Sequence, residues 1–126
     1  VRLLLDTHVF VWAALAPQRL SDRVRALLVD PENVLLLSAC SAYEIEFQRS
    51  RDPVLGRLPS DLVTAAVEQR FEWLAVNPAH AIRAGKLPRL HGDPFDRLLV
   101  AQAIEEDVAL ATVDARIERY GIPTIW

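Results

Sequence analysis

Short apolar runs recur along the chain and alternate with stretches of helical spacing. Leu3-Leu4-Leu5 reads as a strand, and Val9 to Leu15 as a helix that ends before Pro17. Ser21 can cap a helix over Asp22 to Val29, with Val24, Leu27 and Leu28 on one face. Val34 to Leu37 reads as a second strand, followed by a helix from about Ser41 to Arg49. Ser60 can cap a helix over Asp61 to Phe71, and Trp73 to Val76 makes a third strand. Asn77-Pro78 is a cap followed by a first-turn proline, for a helix through Ala84 that Gly85 ends. Asp93-Pro94 repeats the signal for Phe95 to Glu105. Ala109 to Val113 is a fourth strand, Ala115 to Tyr120 a short helix, and Ile122 to Trp126 a last edge strand.

The strand runs are continuously apolar, not alternating, as expected where helices cover both faces of a parallel sheet. The prediction is an α/β fold: an α/β/α sandwich with a central parallel sheet of four or five strands. The eight prolines fall mainly between elements, and no repeat, low-complexity tract or linker is visible. Residues 1–126 are therefore expected to form a single domain.

Composition narrows the chemistry. The lone Cys40 excludes a disulfide framework and a cysteine-based zinc site, and His8, His80 and His91 give no HxxxH pair. No apolar run approaches the roughly 20 residues that cross a bilayer, and no signal peptide is visible. A cytoplasmic protein without a membrane partner is the expectation. Fourteen Lys+Arg against seventeen Asp+Glu give a net charge of −3, without the basic footprint typical of nucleic-acid binders.

Sites on such sheets lie beyond the carboxyl ends of the strands. Asp6 and Asp114 directly follow the first and fourth strand runs, Glu44 lies near the start of the helix after the second, and Asp96 lies in the first turn after Asp93-Pro94. Each has a local explanation. Asp6, Asp93 and Asp114 can cap the helices they precede, and Ser41-x-x-Glu44 matches a capping box, with Glu46 equally acidic nearby. Asp96 is harder to explain, because Leu99, Val100 and Ala103 share its side of the helix. An acid on an apolar stripe is costly unless something pairs with it. Ser or Thr would cap equally well, so repeated carboxylates concentrate negative charge that must raise their pKa values or bind a cation. An oxygen-only cluster suits Mg²⁺ or Mn²⁺ better than zinc. Such an ion can activate water and stabilise a phosphodiester transition state.

Leu3-Leu4-Leu5-Asp6-Thr7-His8, Ser38-Ala39-Cys40-Ser41-Ala42-Tyr43-Glu44-Ile45, His91-Gly92-Asp93-Pro94-Phe95-Asp96-Arg97-Leu98-Leu99 and Thr112-Val113-Asp114 form an ordered set. The set resembles the motifs of PIN-domain proteins, most closely VapC-type toxins of bacterial toxin–antitoxin modules. The resemblance implies a five-stranded parallel sheet and Mg²⁺- or Mn²⁺-dependent endoribonuclease activity. It implies Asp6, Glu44, Asp96 and Asp114 as the metal-holding acids, with Asp93 supporting. It also implies a homodimer, and a small antitoxin that wraps the toxin and blocks its acidic pocket.

Thr7 and Thr112 are candidates to hydrogen-bond the metal shell. Arg97 and Arg116 each follow a site acid and, with Arg49, Arg51, Arg89 and Arg119, could form a phosphate track for RNA. The competing explanation for each arginine is a local ion pair or a solvated surface. Other readings are a receiver-like module, a haloacid-dehalogenase-type phosphatase, and a PIN protein of RNA maturation or an inactive scaffold. The first wants a third strand ending in Asp and a late strand ending in Lys; the second wants an Asp at the position of His8.

Overall fold

A computed structural model describes all residues, Val1–Trp126. Five strands, β1 (Arg2–Leu5), β2 (Val34–Ser38), β3 (Phe71–Leu74), β4 (Ala109–Ala111) and β5 (Thr124–Ile125), form one sheet in the order β3-β2-β1-β4-β5. Every pairing is parallel. Seven α-helices connect or follow them: α1 (Thr7–Leu15), α2 (Asp22–Val29), α3 (Ala39–Gln48), α4 (Leu62–Glu68), α5 (Pro78–Lys86), α6 (Pro94–Glu106) and α7 (Ala115–Glu118). The expected sandwich is present, with five strands.

β1 is central and explains the apolar run at its start. Leu3, Leu4 and Leu5 are all fully buried, but on opposite faces. Leu3 and Leu5 pack with Val9, Phe10, Val24, Ile45 and Ala66, from α1, α2, α3 and α4. Leu4 packs with Leu99, Val100, Leu110 and Ile117, drawing in α6 and α7. Two cores thus sandwich one sheet, which is why the strand pattern shows no polar face.

Several element ends differ from the sequence expectation, each for a local reason. β3 begins at Phe71, whose ring meets Phe10 edge-on at 5.3 Å, so the strand starts two residues before Trp73. Asp61, not Ser60, caps α4, accepting from the Thr64 N–H at 3.1 Å. α5 runs through Gly85 to Lys86, and the chain turns out of it at Leu87, before Pro88. α3 starts at Ala39 under a Ser38 cap, which places Ser41 inside the helix and removes the capping box proposed for Ser41 and Glu44. The first helix is mostly core: Val9 and Phe10 are buried, and Trp12 packs against Trp126 at 5.9 Å with Arg19 over its ring.

The chain builds outward from β1 in both directions. β2 and β3 lie on one side, β4 and β5 on the other. The strand order reverses between β1 and β4, the position where parallel sheets open a crevice at their carboxyl ends. The Asp6 N–H donates to Ala111 O at 3.0 Å, so the two strands stay paired up to the point where Asp6 leaves the sheet.

Truncating Leu4 to Ala should cost about 2–5 kcal/mol of unfolding free energy, because that side chain joins α6, α7 and three strands without solvent contact. Val29→Ala, at a 74% exposed position, should stay within about 0.5 kcal/mol of the parent. Urea denaturation of both variants measures the difference.

Candidate metal centre

Asp6 is the residue after β1 and caps α1, its Oδ1 accepting from the His8 N–H at 3.0 Å. Its Oδ2 accepts from the Thr112 hydroxyl at 2.7 Å. That hydroxyl in turn accepts from the Asp114 N–H at 3.0 Å. Thr112 therefore links the acid after β1 to the acid after β4, and it is fully buried. Thr7 does something different: its hydroxyl pairs with the Ser41 hydroxyl at 2.8 Å and pins α1 to α3.

Glu44 projects from the second turn of α3 and is 7% exposed. Its Oε1 is buried without a hydrogen-bond partner. Burial raises the Glu44 pKa above the usual carboxylate range; the Thr7 hydroxyl lowers it, and the charges of Asp93 and Asp6 raise it again. Glu46, the alternative from the sequence, is half-exposed and paired with Arg49 at 2.9 Å.

Asp93 caps α6, accepting from the Phe95 and Asp96 N–H groups at 2.8 and 3.3 Å. Asp96 follows inside the first turn, and its pKa is pushed up to about 7. Burial is the main cause, followed by the charges of Asp93 and Asp6, with Glu44 adding a smaller effect. Asp6, Glu44 and Asp96 are thus close enough to feel one another. His8 senses the same concentration of charge: its pKa is raised, first by its hydrogen bond to Asp6, with Glu44 and Asp96 contributing.

Asp114 caps α7 and stands apart electrostatically. Burial opposes its charge, but hydrogen bonds from Arg116 and His91 prevail and lower its pKa. It joins the other acids through His91, whose Nε2 lies 2.9 Å from Asp96 Oδ2 and 3.1 Å from Asp114 Oδ2. His91, Asp96 and Asp114 bring ligand atoms within 4.8 Å of one another, close enough to hold one divalent ion.

His91 was not singled out from the sequence, where it reads as one of three scattered histidines. The available signal is its place two residues before Asp93, the cap of α6. The arginines divide into two kinds. Arg97 donates to the carbonyls of Ala84, Leu87 and Pro88 at 2.7–3.0 Å, and Arg49 to those of Leu58 and Pro59 at 3.0 and 2.6 Å. Those guanidinium groups brace loops and are not presented to a phosphate, which corrects the sequence expectation for both. Arg116 is exposed and lies 3.3 Å from Asp114. A cleft of about 360 Å³ opens against Glu44, lined also by Thr7, His8, Trp12, Arg19 and Arg57.

A family model described as the PIN domain matches residues 3–123. The chain is 30% identical to Ribonuclease VapC22 of Mycobacterium tuberculosis over 128 residues, covering 98% of both chains. Among solved structures it resembles VapBC2 from Rickettsia felis bound to a promoter DNA fragment, with a TM-score of 0.75 and 19% identity, covering 99% of this chain and 98% of the other. It also resembles DNA-bound VapBC from Salmonella typhimurium, with a TM-score of 0.72 and 16% identity, covering 99% and 97%.

A raised Asp96 pKa has a definite sign. Between the usual carboxylate range and about pH 7 the folded state holds a proton that the unfolded chain releases, so stability falls as pH rises through that window. Asp96→Asn should therefore raise the melting temperature of metal-free protein by a few degrees at pH 7.5, and by much less near pH 4. Thermal scans in EDTA at the two pH values check this.

Proposed function

We propose, from the premise that this chain belongs to the PIN-domain family, that it is an Mg²⁺- or Mn²⁺-dependent endoribonuclease and the toxin of a toxin–antitoxin pair. The observation that carries the proposal is the buried, unpartnered Oε1 of Glu44, in a group of acids whose charges help to raise the pKa of Glu44 and of Asp96. A buried anionic oxygen without a donor is costly, and a cation is the partner that suits several carboxylates at once. The donors in this group are hard oxygens, which fits Mg²⁺ or Mn²⁺.

Asp6, Glu44, Asp96 and Asp114 would hold the ion, directly or through water. When bound, the ion lowers the pKa of its water and neutralises charge on the scissile phosphate. The remaining work falls to the chain. Thr112 fixes Asp6 from one side while the His8 N–H fixes it from the other, so this carboxylate is oriented before any ligand arrives. Glu44, with its pKa raised, is suited to orient the attacking water and accept a proton from it. The cleft against Glu44 offers Arg19 and Arg57 to an RNA strand, and Arg116 stands on the other side of the acids. These cations replace Arg97 and Arg49 in the proposed phosphate track.

The similarity to VapBC complexes supports a protein antitoxin as partner. Tyr43 and Phe47 are 61% and 59% exposed, and Tyr43 lies against Phe47 and Phe95 with ring centroids 6.0 and 5.6 Å away. An exposed aromatic group of this kind supports a protein contact on that face, and the homodimer is the contact we assign to it. Residues 1–126 would act as one domain. No helix is long and apolar enough to cross a membrane, and we place the protein in the cytoplasm.

Purified protein should cleave RNA with Mg²⁺ or Mn²⁺ and stop when EDTA is added. Asp6→Asn should slow cleavage by at least about 100-fold, since a bound ion supplies several kcal/mol of transition-state stabilisation. The same ions should raise the melting temperature of the parent and do so much less for Asp6→Asn. Cleavage that survives EDTA, or an equal thermal shift in both proteins, would contradict the proposal.

A further inference from the structure

His91 lies against two of the acids, and its ring is 1% exposed. Its other nitrogen decides what it can do there. The Asp93 N–H donates to His91 Nδ1 at 3.1 Å. A neutral imidazole carries one proton, so a ring that accepts at Nδ1 holds its hydrogen on Nε2. Nε2 is the atom that faces Asp96 Oδ2 and Asp114 Oδ2. We infer that His91 is not a metal ligand but a positioning residue, an N–H donor that hydrogen-bonds Asp114, lies 2.9 Å from Asp96 Oδ2, and sets how those two carboxylates meet the ion. This inference rests on the metal centre proposed above.

Ligation through Nε2 would need the lone pair there and the proton on Nδ1. Two N–H groups, from the ring and from Asp93, would then confront each other with no acceptor between them. The segment has little freedom to adjust. The His91 N–H donates to the Tyr120 hydroxyl at 3.1 Å, and that hydroxyl donates to Pro88 O at 3.0 Å. Arg97 reaches the same hydroxyl at 3.3 Å and braces Pro88 O as well. Asp93 meanwhile turns its side chain to cap α6. One short segment therefore places the imidazole, the cap and Asp96 in a fixed relation. His80 shows the same arrangement away from the acids: its Nδ1 accepts from the Asn77 N–H at 3.1 Å and its Nε2 lies 3.1 Å from Glu106.

The consequence is chemical. Although a histidine sits among the acids, the ion would meet oxygen only. That favours Mg²⁺ and Mn²⁺ and gives the site no imidazole with which to retain Zn²⁺. His91 also stands between the acid after β4, which it hydrogen-bonds, and the acid on α6, which lies 2.9 Å from the same ring nitrogen.

Two substitutions divide the roles of the ring. Gln places an amide N–H near the position of Nε2, whereas Asn can accept the Asp93 N–H but does not reach the carboxylates. Calorimetric Mn²⁺ titration should find His91→Gln within about threefold of the parent and His91→Asn weakened by about tenfold or more, the range for lost partners of ligating groups. Long-range ¹H–¹⁵N spectra of the parent should show the Nε2–H tautomer both before and after saturation with Mg²⁺, a readout that does not depend on either variant folding. A proton that moves to Nδ1 on adding Mg²⁺, or equal Mn²⁺ affinity in the parent and His91→Asn, overturns the inference. A parent that binds neither ion would instead overturn the proposed function, while the metal-free spectrum would still decide the tautomer.

Discussion

Carboxylates crowded at the end of a parallel sheet repel one another, and this repulsion organises the site. Burial pushes the Asp96 pKa up to about 7, and the charges of Asp93, Asp6 and Glu44 add to the rise. The same repulsion helps to raise Glu44, whose Oε1 has no donor. The surrounding structure offsets part of the cost. Asp6, Asp93 and Asp114 each accept from the first turn of a helix, where backbone N–H groups and the helix dipole favour negative charge. Thr112 supplies a further donor to Asp6, and His91 and Arg116 supply donors to Asp114. What these donors leave uncompensated lies at Asp96 and Glu44, and there a cation would do most.

The fold delivers this arrangement because its strand order reverses between β1 and β4. Helices leaving neighbouring strands diverge at that point, and their starts surround a crevice instead of packing against each other. Asp6 and Asp114 enter it from adjacent strands. Glu44 enters from α3, held in place by the Thr7–Ser41 hydroxyl pair, and Asp96 enters from α6 behind its proline and cap. At Asp6 and Asp114 a helix cap and a site acid are the same residue. A serine at either of these two positions would start the helix equally well and leave the centre one oxygen anion short.

Much of this was legible in the sequence, and the reasons differ by element. β1 could be read because Leu3, Leu4 and Leu5 are buried on both faces, which leaves a run without polar interruption. The α6 start could be read because Asp93-Pro94 combines a cap with a proline that fits only a first turn. The α3 start was misplaced because Ser38 and Ser41 are both competent caps. The choice was made by Ser38 at the end of β2 and by the contact between Thr7 and Ser41, which lie 34 residues apart. β3 starts two residues before Trp73 because Phe71, on the same face, also packs into the core, its ring against Phe10. The contribution of His91 depends on where Asp114 lies in space, 23 residues away, and local pattern carries no trace of that. Arg97 and Arg49 were assigned to a phosphate because charge is visible in a sequence, while the backbone carbonyls that claim them are not.

The central claim is that acids from four separate segments share one divalent ion. The most direct test is anomalous diffraction from crystals soaked in Mn²⁺. The account predicts a single strong peak bonded to carboxylate oxygens of Asp6, Asp96 and at least one of Glu44 and Asp114, at about 2.0–2.2 Å. A peak elsewhere on the protein, or a soaked crystal whose acids remain without metal, would contradict it.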